Sequence, residues 1–220
     1  MQEDKEKFLD RYPKLKDIFP SIDETVNLLT KLFISGGTLY LAGNGGSAAD
    51  CEHICGEFLK GFLQKRPMNN EDAAKFSQFN EDGKLLSQNL QYGVRAISLL
   101  SHPGLLSAFA NDVNPNMGFA QQIWALGKKD DVFLGISTGG NAINIRYALQ
   151  TAKAKGLKTV LLTGNKHGEC EKYADINICV PESETYKIQE LHLPIYHYIC
   201  MTVEKNIFKE RLILCSNTVL

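Results

Sequence analysis

His53 and Glu57 stand four residues apart in the stretch GNGGSAADCEHICGE, Gly43 to Glu57. On a helix that spacing puts an imidazole and a carboxylate on one face, a pairing suited to general acid–base catalysis. By itself it is equally the spacing of a local ion pair. A second set lies late in the chain, in ETYKIQELHLPIYHYIC, which carries Gln189, His192 and His197. Gln189 and His197 are eight positions apart, roughly 80° from each other around a helix axis at about 100° per residue, so they can share a face. Histidine, carboxylate, amide oxygen and histidine together could bind a divalent ion of zinc type, although an amide is an unusual ligand. The same four groups could instead transfer protons.

Two glycine loops are the candidates for holding a ligand beside these groups. Gly43-Asn44-Gly45-Gly46-Ser47-Ala48 formally satisfies G-x-G-x-x-A, the dinucleotide fingerprint. That fingerprint also requires a short second strand ending in an acidic residue about 20 positions on, and here the chain runs into FLKGFLQKRP. No G-K-[ST] follows, so a P-loop is excluded as well. Glycines still let backbone amides approach an anion or a polyol, and the helix behind them adds a positive dipole end; a tight turn with no ligand is the plain alternative. The second loop, GISTGGNA, offers the hydroxyls of Ser137 and Thr138, the amides of Gly139 and Gly140 and a helix start near Asn141, a cradle suited to phosphate. With no adenine pocket or ribose-binding acid evident, a sugar phosphate is the smaller fitting ligand.

The elements that must position these loops are legible as five short apolar runs: TLYLAG from Thr38, AISLLS from Ala96, DVFLGIS from Asp131, KTVLLTG from Lys158 and DINICVP from Asp175. Each ends in Gly, Ser or Pro, with helical spacing between, which predicts an α/β fold with a parallel sheet covered on both faces. Ser21 and Glu24 predict a capping box for a helix stopping at Gly36-Gly37, so residues 1–35 are read as helices added before the sheet. The polar stretch Leu63 to Arg95 is long for a connection and predicts a short helix of its own.

Composition narrows the partners. With 24 basic against 25 acidic residues, nothing draws the chain to nucleic acid or anionic lipid. No apolar run approaches the roughly 20 residues that span a bilayer, and MQEDKEKFLDRYPK is charged from its third residue, so membrane insertion and secretion are not expected. Six cysteines without a C-x-x-C pair point to reduced thiols and a cytoplasmic protein.

LAGNGGSAADCEHICGE, GISTGGN, LLTG and IQELHLPIYH, in that order and spacing, resemble the sugar isomerase (SIS) domain of the phosphoheptose isomerase family, from Leu29 to about Ile207. The resemblance implies a flavodoxin-like five-stranded three-layer sandwich. It makes the whole chain one SIS domain, with 1–35 a helical extension, 36–208 the core and 209–220 a tail. It further implies a homotetramer with sites across subunit interfaces, and interconversion of sedoheptulose 7-phosphate with a heptose 7-phosphate aldose through an enediol. By position Glu57 and His197 match the family's acid–base pair, and His53, Glu57, Gln189 and His197 its zinc ligands, so two residues carry two roles. Substrate contacts are then expected at Asn44, Gly45, Gly46, Ser47, Asn111, Asp112, Ser137, Thr138, Gly139, Gly140, Asn141 and Gln189. An oligomer also agrees with site residues drawn from both ends of the chain and with the apolar stripe Leu28, Leu29, Leu32 and Phe33, unless that stripe only covers the sheet.

The chain departs from similar proteins around the substrate. They read S-T-S-G-N-S where this one has Ser137-Thr138-Gly139-Gly140-Asn141-Ala142, so two hydroxyls are missing; Lys60, Lys65 and Arg66 are the cations offered in their place. An aspartate expected after the second strand is His102, and the basic residue expected four after the glutamate falls at Gly61, with Lys60 one place early. Pro194 is expected to kink the late helix. These departures leave open another sugar phosphate, an aminosugar or pentose phosphate, or a non-catalytic sugar-phosphate-binding or regulatory SIS protein.

Overall fold

The computed structural model describes residues 2–216. Two helices, α1 (Gln2–Arg11) and α2 (Phe19–Ile34), precede the first strand. The sheet comprises β1 (Leu39–Ala42), β2 (Ala96–Ser98), β3 (Val132–Ser137), β4 (Lys158–Thr163) and β5 (Ile176–Cys179). Its spatial order is β2-β1-β3-β4-β5 and every pairing is parallel, the doubly wound order whose ligand crevice lies outside the carboxyl ends of β1 and β3. The register places Leu39 beside both Ala96 and Val132.

The central strands β1, β3 and most of β4 are buried on both faces, so their patterns are continuous, whereas the edge strands β2 and β5 alternate between buried and half-buried residues. Leu39, Leu41, Val132, Leu134, Val160 and Leu162 face a core shared with α2, α3 (Gly46–Leu59) and α9 (Thr185–Ser216). Tyr40, Phe133 and Leu161 face the opposite core with α7 (Gly118–Leu126) and α8 (Ile143–Ala154). Each such side chain withdrawn from water contributes about 1.5–3 kcal/mol. Leu29, Leu32 and Phe33 belong to the first core and Leu28 packs against it, so the stripe considered above as an oligomer surface covers the sheet.

Several local expectations are corrected. The helix before β1 begins at Phe19, with Ile18 at its N-cap and Pro20 in the first turn. Ser21 is already helical and its carbonyl accepts from Thr25 Oγ1, because a proline's missing N–H is tolerated in the first turn; no capping box forms at Ser21. The stretch from Leu63 to Arg95 carries two helices, α4 (Asn70–Ala74) and α5 (Asn80–Asn89), rather than one. The last helix runs on through Pro194 to Ser216; residues 209–216 continue it, and 217–220 lie outside the described residues. The remaining helix, α6 (Pro103–Asp112), follows β2.

The excursion holding α4 and α5 hangs from a closed neck. Pro67 bridges to Gln91, Tyr92 N–H donates to Arg66 O, and Gln91 Oε1 accepts from Gly61 and Arg66 N–H. Beneath it the buried Glu204 carboxylate on α9 accepts from the amides of Phe62, Leu63 and Gln64 and from the Arg66 guanidinium at 2.8 Å.

Candidate active site

Helix α3 begins in the glycine loop and lies against α9, and the two meet at two levels. At the first, Gly46 has no room for a side chain: a Cβ there would stand 2.6 Å from Gln189 Nε2, so Gln189 lies over the loop. At the second, two turns along, His53 Nε2 is 3.2 Å from Glu57 Oε1 and 3.4 Å from His197 Nε2. His53, Glu57 and His197 therefore converge within one chain, and no hydrogen bond among the described residues joins Gln189 to them. The levels are about 10 Å apart along α3 at 1.5 Å per residue.

Burial sets the electrostatics. The Glu57 side chain is 12% exposed, and its Oε2 has no hydrogen-bond partner among the described residues; its nearest cation is Lys60 Nζ at 3.6 Å. Burial, reinforced by the neighbouring His53, pushes the His197 pKa down, so this imidazole is neutral at pH 7. Phe62 packs beside His197 with ring centroids 5.6 Å apart, held there by the Glu204 anchor. A cavity of about 450 Å³ opens between α1 and α9, with Arg11, Tyr12, Phe62 and His197 in its wall. His192, by contrast, is fully buried beside Thr163 O at 3.4 Å. Burial lowers its pKa to about 4, which makes it a neutral core histidine outside the cluster.

The donor set bears on the implied zinc ion. Around zinc bonded at about 2.0–2.2 Å, neighbouring ligands of a tetrahedron stand roughly 3.3–3.6 Å apart. The separations of 3.2 and 3.4 Å about His53 Nε2 come close to that edge, and the donor chemistry fits. As placed, however, Glu57 Oε2 has no hydrogen-bond partner among the described residues, and among them no group of three or more His, Cys, Asp or Glu could hold a metal ion. Accommodating zinc takes rotation of these side chains.

The two loops form the other end of the site. Asn44 and Asn144 exchange side-chain hydrogen bonds, Nδ2 to Oδ1, at 3.0 and 2.8 Å. This pair joins the loop after β1 to the helix that follows the loop after β3. Gly45 and Gly46 are exposed, whereas Ser47 is buried in the first turn of α3. In the second loop Ser137 is buried, Gly139 has open space where a side chain would stand, and Gly140 takes a φ of +66°. A Cβ on Gly140 would stand 3.0 Å from Gly168 Cα. The segment after β4 clamps this loop: Gly164 N–H donates to Thr138 O, Cys170 N–H to Gly140 O, and Glu169 N–H to Asn141 Oδ1.

His102 is exposed at the N-cap of α6. Asn111 and Asp112 are at the far end of that helix, about 13 Å further along, where Asn111 Nδ2 donates to Asp112 Oδ1. Lys60, Lys65 and Arg66 lie beyond the end of α3 from the first loop. They follow a helix of 14 residues, about 20 Å long, and Arg66 is enclosed in its pair with Glu204. Sequence reasoning missed Asp50, Tyr196 and Asn144. Asp50 had a signal, because it is three before His53 on the same helix face; Tyr196 and Asn144 had none.

The relatives of this chain are consistent in kind. The SIS domain family model matches residues 104–201. The phosphoheptose isomerase of Burkholderia pseudomallei is 40% identical over 173 residues, 79% of this chain and 75% of that protein. That of Aneurinibacillus thermoaerophilus is 34% identical over 198 residues, 90% and 87% of the two chains. This chain belongs to the phosphoheptose isomerase family. The structure of the Neisseria gonorrhoeae phosphoheptose isomerase superposes with a TM-score of 0.71 at 25% identity, covering 89% of this chain and 91% of that one. The Francisella tularensis enzyme shares the fold with the same TM-score at 24% identity. These superpositions agree with the sheet order described above.

Proposed function

We propose that this protein is a sugar-phosphate aldose–ketose isomerase acting on a heptose 7-phosphate of the sedoheptulose type. The observation that carries this within the family is the convergence of His53, Glu57 and His197 two turns from a pair of anion-suited loops. The phosphate is held by the 137–141 loop, and the sugar extends along the α3–α9 seam. Glu57, an acceptor-only group when ionised, takes the proton from the carbon beside the carbonyl. His197, neutral because of its burial, relays a proton at the carbonyl oxygen, and the enediol collapses to the other sugar. Glu57 and His197 are both present, and a purely regulatory protein would need neither.

His53, Glu57 and His197 are the residues that would hold zinc; Gln189, the fourth donor by family position, lies at the other level of the seam. Bound there, the ion would polarise the substrate carbonyl. Less than about a tenth of an equivalent of metal in purified protein, with no activation by added zinc, would refute that part. The tetramer of the family is likewise proposed for this chain, and light scattering of an active 24.5 kDa monomer would overturn it. Among the described residues no helix is long and apolar enough to cross a membrane, and the five described cysteines are free, which supports a reducing compartment. Incubation with hexose, heptose and pentose phosphates, followed by product analysis, tests the substrate class. Turnover of none of them would refute the assignment.

A further inference from the structure

Behind His53, on the side away from Glu57, lies a buried pair that the isomerisation chemistry above does not use. Tyr196 is 3% exposed. Its hydroxyl is 3.0 Å from His53 Nδ1 and 3.2 Å from Asp50 Oδ1, and its ring meets the imidazole edge-on with centroids 5.4 Å apart. Asp50 Oδ2 is buried with no hydrogen-bond partner among the described residues. Tyr196 has one proton for two acceptors. An ionised carboxylate can only accept, so the hydroxyl donates to Asp50 and its oxygen accepts from His53 Nδ1–H. A neutral His53 ring then keeps its lone pair on Nε2, the nitrogen that meets His197 Nε2 at 3.4 Å.

We infer that Tyr196, oriented by Asp50, is a positioning residue that fixes His53 as its Nδ1–H tautomer and aims Nε2 into the site. This rests on the isomerase assignment for its kinetic consequence but not for its structural one. The same orientation serves His53 whether Nε2 meets a proton or a metal ion, since an imidazole bonded through one nitrogen is oriented by the partner of the other.

The test uses two variants of the full chain and two readouts: nitrogen-15 shifts of the His53 ring at alkaline pH, and steady-state kinetics on the accepted sugar phosphate. Tyr196→Phe removes the hydroxyl and keeps the ring. The His53 tautomer should lose its fixed form, and kcat should fall about 10- to 100-fold, the usual loss on removing such an outer partner, with KM within about twofold. Asp50→Leu leaves the hydroxyl with only His53 to donate to, so the ring should switch to the Nε2–H form. A wild-type Nδ1–H signal retained in both variants, or in whichever one folds, overturns the inference. If the wild-type protein turns over no sugar phosphate, the functional assignment fails on its own and the ring shifts still decide the role of Tyr196.

Discussion

The two ends of the site are built from different materials. At the α3–α9 seam the working groups are side chains, His53, Glu57 and His197, held between packed helices. At the rim they are backbone amides and small residues, Gly45, Gly46, Gly139 and Gly140, held by clamps from elsewhere such as Asn144 and the 164–170 segment. Chemistry is thus tied to residue type at one end and to loop shape at the other. A loop defined by shape can exchange hydroxyls, as this one has, and remain a cradle. Substitutions at the seam should act on turnover, and substitutions at the rim on binding.

Glu57→Gln is the largest test of that division. It should lower kcat by about 10²- to 10⁴-fold, the range for a lost acid–base group, while calorimetric affinity for the sugar phosphate stays within a few-fold; equal loss of both would break the division. Next comes Gly140→Val, which puts a β-branched residue at a φ of +66° against Gly168. The conformation alone costs roughly 1–2 kcal/mol, so KM should rise about tenfold or more with kcat largely kept. A comparable drop in kcat would show that the loop also shapes the chemistry.

Asn144→Ala removes both side-chain hydrogen bonds to Asn44, worth about 0.5–1.5 kcal/mol each, and should weaken a phosphorylated sugar several-fold while leaving its unphosphorylated form, expected to bind far more weakly, unchanged. Equal affinities of the wild-type protein for the two sugars would remove the phosphate cradle from the comparison.

The smallest effect on turnover belongs to the scaffold between the two ends. His192 has a folded-state pKa of about 4 against 6.5 for a free imidazole. Between those values the unfolded chain binds a proton that the folded one refuses, so stability falls as pH drops from about 6.5 to 4 and gains nothing above that window. The contribution is on the order of 3 kcal/mol at 1.36 kcal/mol per pH unit. Denaturant midpoints should follow that direction, and His192→Gln should flatten the curve without altering turnover at pH 7.5. A wild-type midpoint constant across the window would remove the effect.

The sheet was legible because each strand lies in a mainly apolar run ended by Gly, Ser or Pro, and burial on both faces of the central strands keeps those runs apolar. His53 with Glu57 was legible as a spacing on one helix, and His197 as a late motif. Tyr196 reads as one more apolar position of α9, and Asn144 as a polar residue early in a helix. Their partners lie 143 and 100 positions away, and no local pattern records such a distance. The placement of the cations offered to the phosphate was not legible for a related reason. Lys60 and Arg66 are near the first loop in number but beyond a 14-residue helix in space. Ser21 and Glu24 had the right spacing for a cap, but Pro20 suits the first turn of a helix that starts earlier.

The neck formed by Pro67, Gln91, Arg66 and Tyr92 makes the α4–α5 excursion an exchangeable module. Its two ends are fastened to each other and, through Glu204, to α9. The entropy of closing whatever lies between them changes only slowly with length. Insertions, deletions or an entire replacement there would meet a boundary already fixed, so lineages could rewrite this surface freely while the imidazoles a few residues away stay in register.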